Sequence, residues 1–143
     1  MTVVQRSAFT PFSPAQMYAL VNDVEAYPAF LPWCERAELL AHEATRMRAR
    51  LTVNKGRFRY AFTTENRLVP DRSIELDLVE GPFRRFRGTW RFDAADGGCV
   101  VAFNVEFEFS SRVLGFAMGA AFKPIADSLV DAFKRRAYAV HGG

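Results

Sequence analysis

The side chains able to do acid–base, nucleophilic or metal chemistry are few and scattered. His42 falls at the end of an expected strand and His141 in a C-terminal tail expected to fray, so neither a metal cluster nor a histidine-activated nucleophile is expected. Cys34 and Cys99 fit no metal or redox spacing and read as reduced, buried thiols of a cytoplasmic protein. No glycine-rich phosphate loop follows a strand pattern. Glu80, at the inner-face end of a strand and opposite Arg84 across a turn, reads as half of a surface ion pair rather than a catalytic carboxylate. No catalytic residue, metal ligand or required cofactor is therefore assigned. What remains is hydrogen bonding into apolar surroundings, for which Tyr60, Thr64, Asn66 and Asn104 are candidates. Asn104 is the weakest, because strand alternation turns it away from the interior.

These polar groups sit in an unusually aromatic chain. Half of its residues are hydrophobic and fourteen are phenylalanine, which points to a voluminous interior or to an apolar ligand site. At 143 residues it reads as one domain, 1–143. A net charge of +3 is too mild to imply nucleic-acid binding by itself, and no DNA partner is expected. The basic residues are unevenly placed, however: Arg46, Arg48, Arg50, Lys55, Arg57 and Arg59 occur in a stretch without a single acid and read as an unbalanced basic patch. No secretion signal is visible at the N-terminus. The longest nearly uncharged apolar run, 113–122, falls short of the roughly 20 residues that span a bilayer, so a soluble or peripheral protein is expected.

The elements that must position these groups follow from periodicity. Residues 2–9 can form a strand. Ser13 before Pro14 is a helix start, hydroxyl as N-cap and proline at the first turn, for a short helix to about Asn22; Asp23 can cap a second short turn ended by Pro28. The stretch YPAFLPWC, 27–34, holds two prolines among aromatic residues and reads as an apolar loop of fixed shape, either a plug on the core or the rim of a pocket. From 35 to 109 the period is two. A turn at Lys55-Gly56 would set Val53 opposite Phe58, Leu51 opposite Tyr60 and Ala49 opposite Phe62, placing every apolar residue on one face. The next strands offer Ile74, Leu76 and Leu78; then Phe86, Gly88, Trp90 and Phe92; then, after Asp96-Gly97, Cys99, Val101, Phe103, Val105, Phe107 and Phe109. On the outer face, Glu75 and Asp77 would neighbour Arg85, Arg87 and Arg91, which in turn neighbour Glu106 and Glu108.

The last thirty residues switch to helical spacing. Leu114, Met118, Phe122, Ile125, Leu129 and Phe133 share one face, with Lys123, Asp127, Asp131 and Arg135 opposite. Pro124 should kink this helix or divide it at Lys123, either fitting it to a curved sheet or leaving 113–122 as a semi-independent flap over a pocket mouth.

Three motifs carry a family resemblance: YPAFLPWC at 27–34, EGPFRRFRGTWRF at 80–92 and DAFKRRA at 131–137. Over essentially the whole chain the sequence resembles the coenzyme Q-binding START-domain proteins, within the helix-grip superfamily of polyketide cyclases, lipid-transfer domains and birch-pollen allergens. Tyr27, Pro28, Phe30, Leu31, Pro32, Trp33 and Cys34 match the first motif; Gly81, Pro82, Phe83, Gly88, Trp90 and Phe92 match the second. Phe86 and Pro124 depart from the pattern. The resemblance implies an α+β helix-grip fold: a curved seven-stranded antiparallel sheet around a long C-terminal helix, two short N-terminal helices, and a tunnel for an apolar ligand.

The expected function is non-catalytic binding of ubiquinone or another isoprenoid lipid, serving respiration or quinone biosynthesis. The loop residues Phe30, Leu31 and Trp33, the sheet residues Tyr60, Phe62, Leu76, Leu78, Phe83, Trp90, Phe103 and Phe107, and the helix residues Met118, Phe122, Ile125 and Leu129 are the expected ligand contacts. The basic hairpin would hold the protein peripherally against anionic lipid at the inner membrane. The alternative implied by the resemblance is a toxin-like protein that binds the large ribosomal subunit through that hairpin and Arg84 to Arg91, blocking subunit association. A cyclase-like enzyme stands third, disfavoured by the lack of a plausible base.

Overall fold

The computed structural model describes residues 1–142. Its element order is β1 (Thr2–Thr10), α1 (Pro14–Asn22), a 3₁₀ helix (Val24–Ala29), β2 (Cys34–His42), β3 (Arg46–Lys55), β4 (Phe58–Val69), β5 (Ser73–Glu80), β6 (Phe83–Ala95), β7 (Gly98–Phe109) and α2 (Arg112–His141). The seven strands form one antiparallel sheet in the order β1-β7-β6-β5-β4-β3-β2, so a meander is closed at one edge by the return of β1. The expected helix-grip architecture is present: the apolar sheet face receives α2, the 3₁₀ helix packs on the edge strand β2, and α1 packs on α2, β6 and β7.

Local chemistry explains the boundaries. Ser13 accepts from the Gln16 amide while Gln16 returns a bond to the Ser13 amide, a capping box that starts α1, and Pro14 fills the first helical turn. The 3₁₀ helix runs one residue past Pro28, which therefore lies inside it rather than ending it, and the Asp23 side chain makes no capping bond.

The first hairpin corrects its expected register. Its turn residues are Gly56 and Arg57, Lys55 pairs with Phe58, and Ala49 faces Thr64 rather than Phe62. Gly56 has φ +61°, the left-handed conformation glycine supplies without a Cβ penalty. A shift of two residues preserves the period of a strand, so every side chain keeps its face while changing its partner.

Helix α2 is continuous through Pro124, contrary to the expected division. The ring lies on the exposed side, and the donor it removes is one whose acceptor faces away from the core. The two ends of α2 differ. Ile125, Ala126, Val130, Phe133 and Ala137 are buried, whereas Val113, Leu114 and Phe116 are exposed, so Leu114 does not belong to the buried stripe. His141, expected in a fraying tail, is the last helical residue and packs its ring against Phe12. Among the described residues α2 is also the one helix long and apolar enough to cross a membrane by length and composition, which corrects the limit drawn from residues 113–122; its C-terminal half is committed to the core.

Candidate functional site

An internal cavity of about 70 Å³ lies between the sheet and the middle of α2. Alternation along the strands aims Ala49 and Leu51, Phe62, Thr64 and Asn66, Ile74 and Leu76, Phe86 and Trp90, and Phe103 and Val105 at it from β3, β4, β5, β6 and β7 in turn. Helical spacing brings Phe122, Ile125, Ala126, Leu129 and Phe133 from α2. The remaining wall is Val21 and Val24 with Tyr27 and Trp33, which come from the two ends of YPAFLPWC. That segment is thus both plug and rim. Its hydroxyl at Tyr27 donates to the Val21 carbonyl, tying it to the end of α1, and burial pushes the phenol up so that it stays neutral.

Two wall residues are polar without being aromatic. Thr64 and Asn66 are 7% and 5% exposed. The Thr64 hydroxyl donates to Asn66 Oδ1 at 2.8 Å, which satisfies the amide oxygen. The Asn66 nitrogen carries two protons, and its contact is with Met47 Sδ at 3.9 Å, a weak acceptor. Donor capacity is therefore held in reserve inside an apolar chamber, where an unmet hydrogen bond is costly.

Of the expected contacts, Trp33, Phe62, Leu76, Trp90, Phe103, Phe122, Ile125 and Leu129 line the cavity. Seven do not. Phe30 packs between the Phe133 ring, 5.4 Å away, and the Arg136 guanidinium, 4.9 Å away, and Leu31 is buried in the core beside it. Tyr60, Phe83 and Phe107 belong to an aromatic layer beyond the cavity, with Phe109 and Phe122: Phe83 stacks on Phe109 at 4.5 Å, Tyr60 meets Phe109 edge-on at 5.8 Å, and Phe107 meets Phe122 at 4.8 Å. Leu78 and Met118 lie at that same end and are also off the wall. The high phenylalanine content thus fills this end of the cup rather than enlarging the chamber. Burial drives the Tyr60 phenol up as well, so it remains a neutral donor.

The residues missed were Val21, Val24, Tyr27, Ala49, Leu51, Ile74, Phe86, Val105, Ala126 and Phe133. The inward direction of the sheet members is set by alternation, but their depth along the cup depends on strand curvature and on how far α2 descends. Ala49 on β3 and Ala126 on α2, small residues on a wall of bulky ones, are the visible cue.

The basic patch is not unbalanced. Glu65 on β4 approaches Arg48 at 3.1 Å and Arg46 at 3.8 Å, Glu38 on β2 approaches Arg50 at 3.7 Å, and Glu35 forms a forked pair with Arg59. Arg59 and Asn54 hold the Glu35 carboxyl below its ordinary value. Acids farther along β4 and on β2 supply what the stretch 46–59 lacks, and Lys55 and Arg57 at the hairpin tip are the members without a carboxylate partner among the described residues. On the outer face, Arg87 pairs with Asp77 at 3.4 Å and Arg84 with Glu108 at 3.5 Å, as the strand order requires. Glu80 is exposed and, among the described residues, unpaired. Cys34 and Cys99 are buried free thiols, Cys34 pushed up to about 11 by burial.

Residues 10–134 match the model for polyketide cyclase / dehydrase and lipid transport proteins. The chain is 43% identical to the Ribosome association toxin RatA of Vibrio cholerae and 40% identical to that of Pseudomonas aeruginosa, with 99% of each chain covered in both cases. It is 29% identical to Coenzyme Q-binding protein COQ10 homolog B, mitochondrial, of Xenopus laevis, over 92% of this chain and 56% of that one. Among solved structures, a protein of Thermus thermophilus superposes with a TM-score of 0.86 at 22% identity, covering 98% of this chain and 99% of that one. The Zhui aromatase/cyclase of a Streptomyces superposes at 0.84 and 17%, covering 95% and 93%. At these identities the structures establish the shared fold.

Proposed function

The chain belongs to the polyketide cyclase / dehydrase and lipid transport family, and from that premise we propose that it is a non-catalytic carrier of an apolar, carbonyl-bearing ligand, an isoprenoid quinone such as ubiquinone. The observation that supports this reading most is the Asn66 amide on the largely apolar cavity wall, 5% exposed, whose nitrogen is met only by the Met47 thioether and so keeps donor capacity to spare. A quinone carbonyl is an acceptor of the right kind, and a polyprenyl tail gains about 0.8 kcal/mol per methylene buried. No carboxylate, lysine or histidine lines the cavity among the described residues, and the tyrosine on the wall is held neutral, so a proton-transfer role finds no group suited to it.

At about 70 Å³ the cavity is smaller than the roughly 150 Å³ known to hold one benzene ring, so uptake on this reading requires α2 to lift or the 3₁₀ segment to swing aside. Trp33 and Trp90 both line the chamber and serve as built-in reporters. Ubiquinone titrated into delipidated protein is expected to quench their emission saturably, and Asn66→Leu is expected to weaken binding about tenfold, the worth of one buried hydrogen bond. Organic extraction of freshly purified protein should release quinone detectable by mass spectrometry. Protein that carries no quinone and shows no quenching would sink the reading.

A second reading, association with the large ribosomal subunit, is favoured by the names of the relatives at 40–43% identity. On this chain it would rest on Lys55, Arg57, Arg85 and Arg112, cations without carboxylate partners among the described residues, rather than on the neutralised hairpin strands. Co-sedimentation with large subunits that survives Lys55→Glu and Arg57→Glu together would remove the hairpin tip from that reading.

A further inference from the structure

After Arg112, the first three turns of α2 are apolar all round. No charged residue occurs from Val113 to Phe122, and while Met118 and Phe122 face the core, Val113, Phe116, Ala117 and Ala120 form an exposed stripe at i, i+3, i+4, i+7 spacing. Val113 is 85% exposed, Phe116 87% and Leu114 57%. Only 22% of the most apolar eighteen-residue window of this helix is buried. A helix hydrophobic on every side ordinarily has apolar cover on every side, and here one side lacks it.

The surroundings identify the cover. In the antiparallel meander, the start of α2, the β3–β4 tip and the β5–β6 turn all lie at one end of the sheet. That end carries Lys55, Arg57, Arg85 and Arg112 without carboxylate partners among the described residues; Glu108, on the wall of the groove beside Phe116, is held by Arg84, and the free cations outnumber the exposed, unpaired Glu80 at the β5–β6 turn. An isologous contact with a second copy would set this net cationic end against the same net cationic end. RNA would satisfy the cations but leave Val113 and Leu114, which offer no π-face to a base, uncovered. A bilayer surface of anionic lipid satisfies both, with apolar side chains sunk below the headgroups and cations level with them.

We propose that the exposed stripe of α2, Val113, Phe116, Ala117 and Ala120, inserts into the headgroup boundary of an anionic membrane, steered by Arg112 and the Lys55/Arg57 tip. The inference goes beyond the cavity reading and does not depend on it, because membrane docking is read with delipidated protein and no quinone. It places the aromatic layer of Phe83, Phe109 and Phe122, which stands between the cavity and this end, directly behind the membrane-facing turn.

Sedimentation with vesicles of phosphatidylglycerol and phosphatidylcholine, against phosphatidylcholine alone, tests it. Binding is expected to the anionic vesicles and to fall as ionic strength rises from about 0.1 to about 0.5 M, where screening shortens to a few ångströms. The double variant Val113→Ser/Phe116→Ser should lose about tenfold or more in partition, and Arg57→Ser/Arg112→Ser should lose most of the salt-sensitive part. Since these positions are exposed, circular dichroism and thermal melting of the variants should match the parent. Phe116→Trp provides an independent readout: its added emission should shift to the blue on anionic vesicles and not on neutral ones. Failure of the parent to bind anionic vesicles, undiminished binding by the serine pair, or unshifted emission from the Phe116→Trp variant would overturn the proposal. So would loss, in the serine pair, of self-association or ribosomal co-sedimentation with vesicle binding intact.

Discussion

The two halves of α2 have similar apolar content and opposite fates. Beyond Pro124, Ile125, Ala126, Val130, Phe133 and Ala137 are sealed against the sheet, and Phe133 alone touches Tyr27, Phe30 and Trp90 at 5.3–5.4 Å between ring centres. Before Pro124, the apolar residues divide between Met118 and Phe122, which join the core, and Val113, Leu114 and Phe116, which do not. Charges make the difference. Lys123, Asp127, Asp131 and Arg135 recur every four residues along the second half and define one solvent face, whereas the first half has no polar face to orient it. Lys123 and Arg6 both clasp Asp127, so the second half is also pinned from outside.

The largest test of this contrast removes one ring from each half. Phe133→Ala, at 1% exposure and in contact with three aromatic rings, is expected to cost about 3–5 kcal/mol in urea unfolding. Phe116→Ala should stay within about 0.5 kcal/mol. A comparable loss at Phe116 would mean that the first half is packed after all.

Next in size is the residue between the halves. Pro124 is exposed within a continuous helix, where proline costs up to about 3 kcal/mol relative to alanine. Pro124→Ala should therefore raise the unfolding midpoint, by about 1–3 kcal/mol of stability. No gain would indicate that the helix is bent there to fit the curved sheet and that straightening it costs what the restored hydrogen bond contributes.

The turn beneath the first half offers an effect of similar size. Gly81 has φ +154°, and a Cβ there would stand 2.6 Å from Phe62 Cβ, so Gly81→Ala should destabilise by about 1–3 kcal/mol and disturb the aromatic layer without touching Phe133. Near-ultraviolet circular dichroism would register that disturbance.

The last effect is in pH. The folded-state value of Cys34 is raised to about 11 from an ordinary 9 because burial disfavours the thiolate. An acid whose folded value is raised contributes its stability fully below the unfolded value and loses it as pH rises through the folded one. Stability should thus decline between about pH 9 and 11, and less so in Cys34→Ala once its baseline loss is subtracted. An identical alkaline slope in the two proteins would exclude Cys34 as the source.

Sequence alone determined the parity of β3 to β7, the adjacency of β5, β6 and β7 through their alternating outer charges, the start of α1 at Ser13 and the long terminal helix. These depend on short-range chemistry: a period of two, a period of 3.6, a cap, a turn glycine. It determined half of the cavity wall as well, since Trp33, Phe62, Trp90 and Phe103 must face inward whatever their depth. Tertiary structure alone decided the rest. The hairpin slid by two residues because every inward side chain remains inward after such a slide, so alternation cannot choose between the registers. The basic hairpin strands were neutralised by Glu35, Glu38 and Glu65, which no window along β3 contains, because strands exchange charge sideways. Depth separated Asn66, on the wall, from Tyr60, in the aromatic layer, though the two share a face of β4. The exposure of Val113 and Phe116 likewise follows from where the sheet ends beneath α2, a long-range fact that the composition of the helix does not carry.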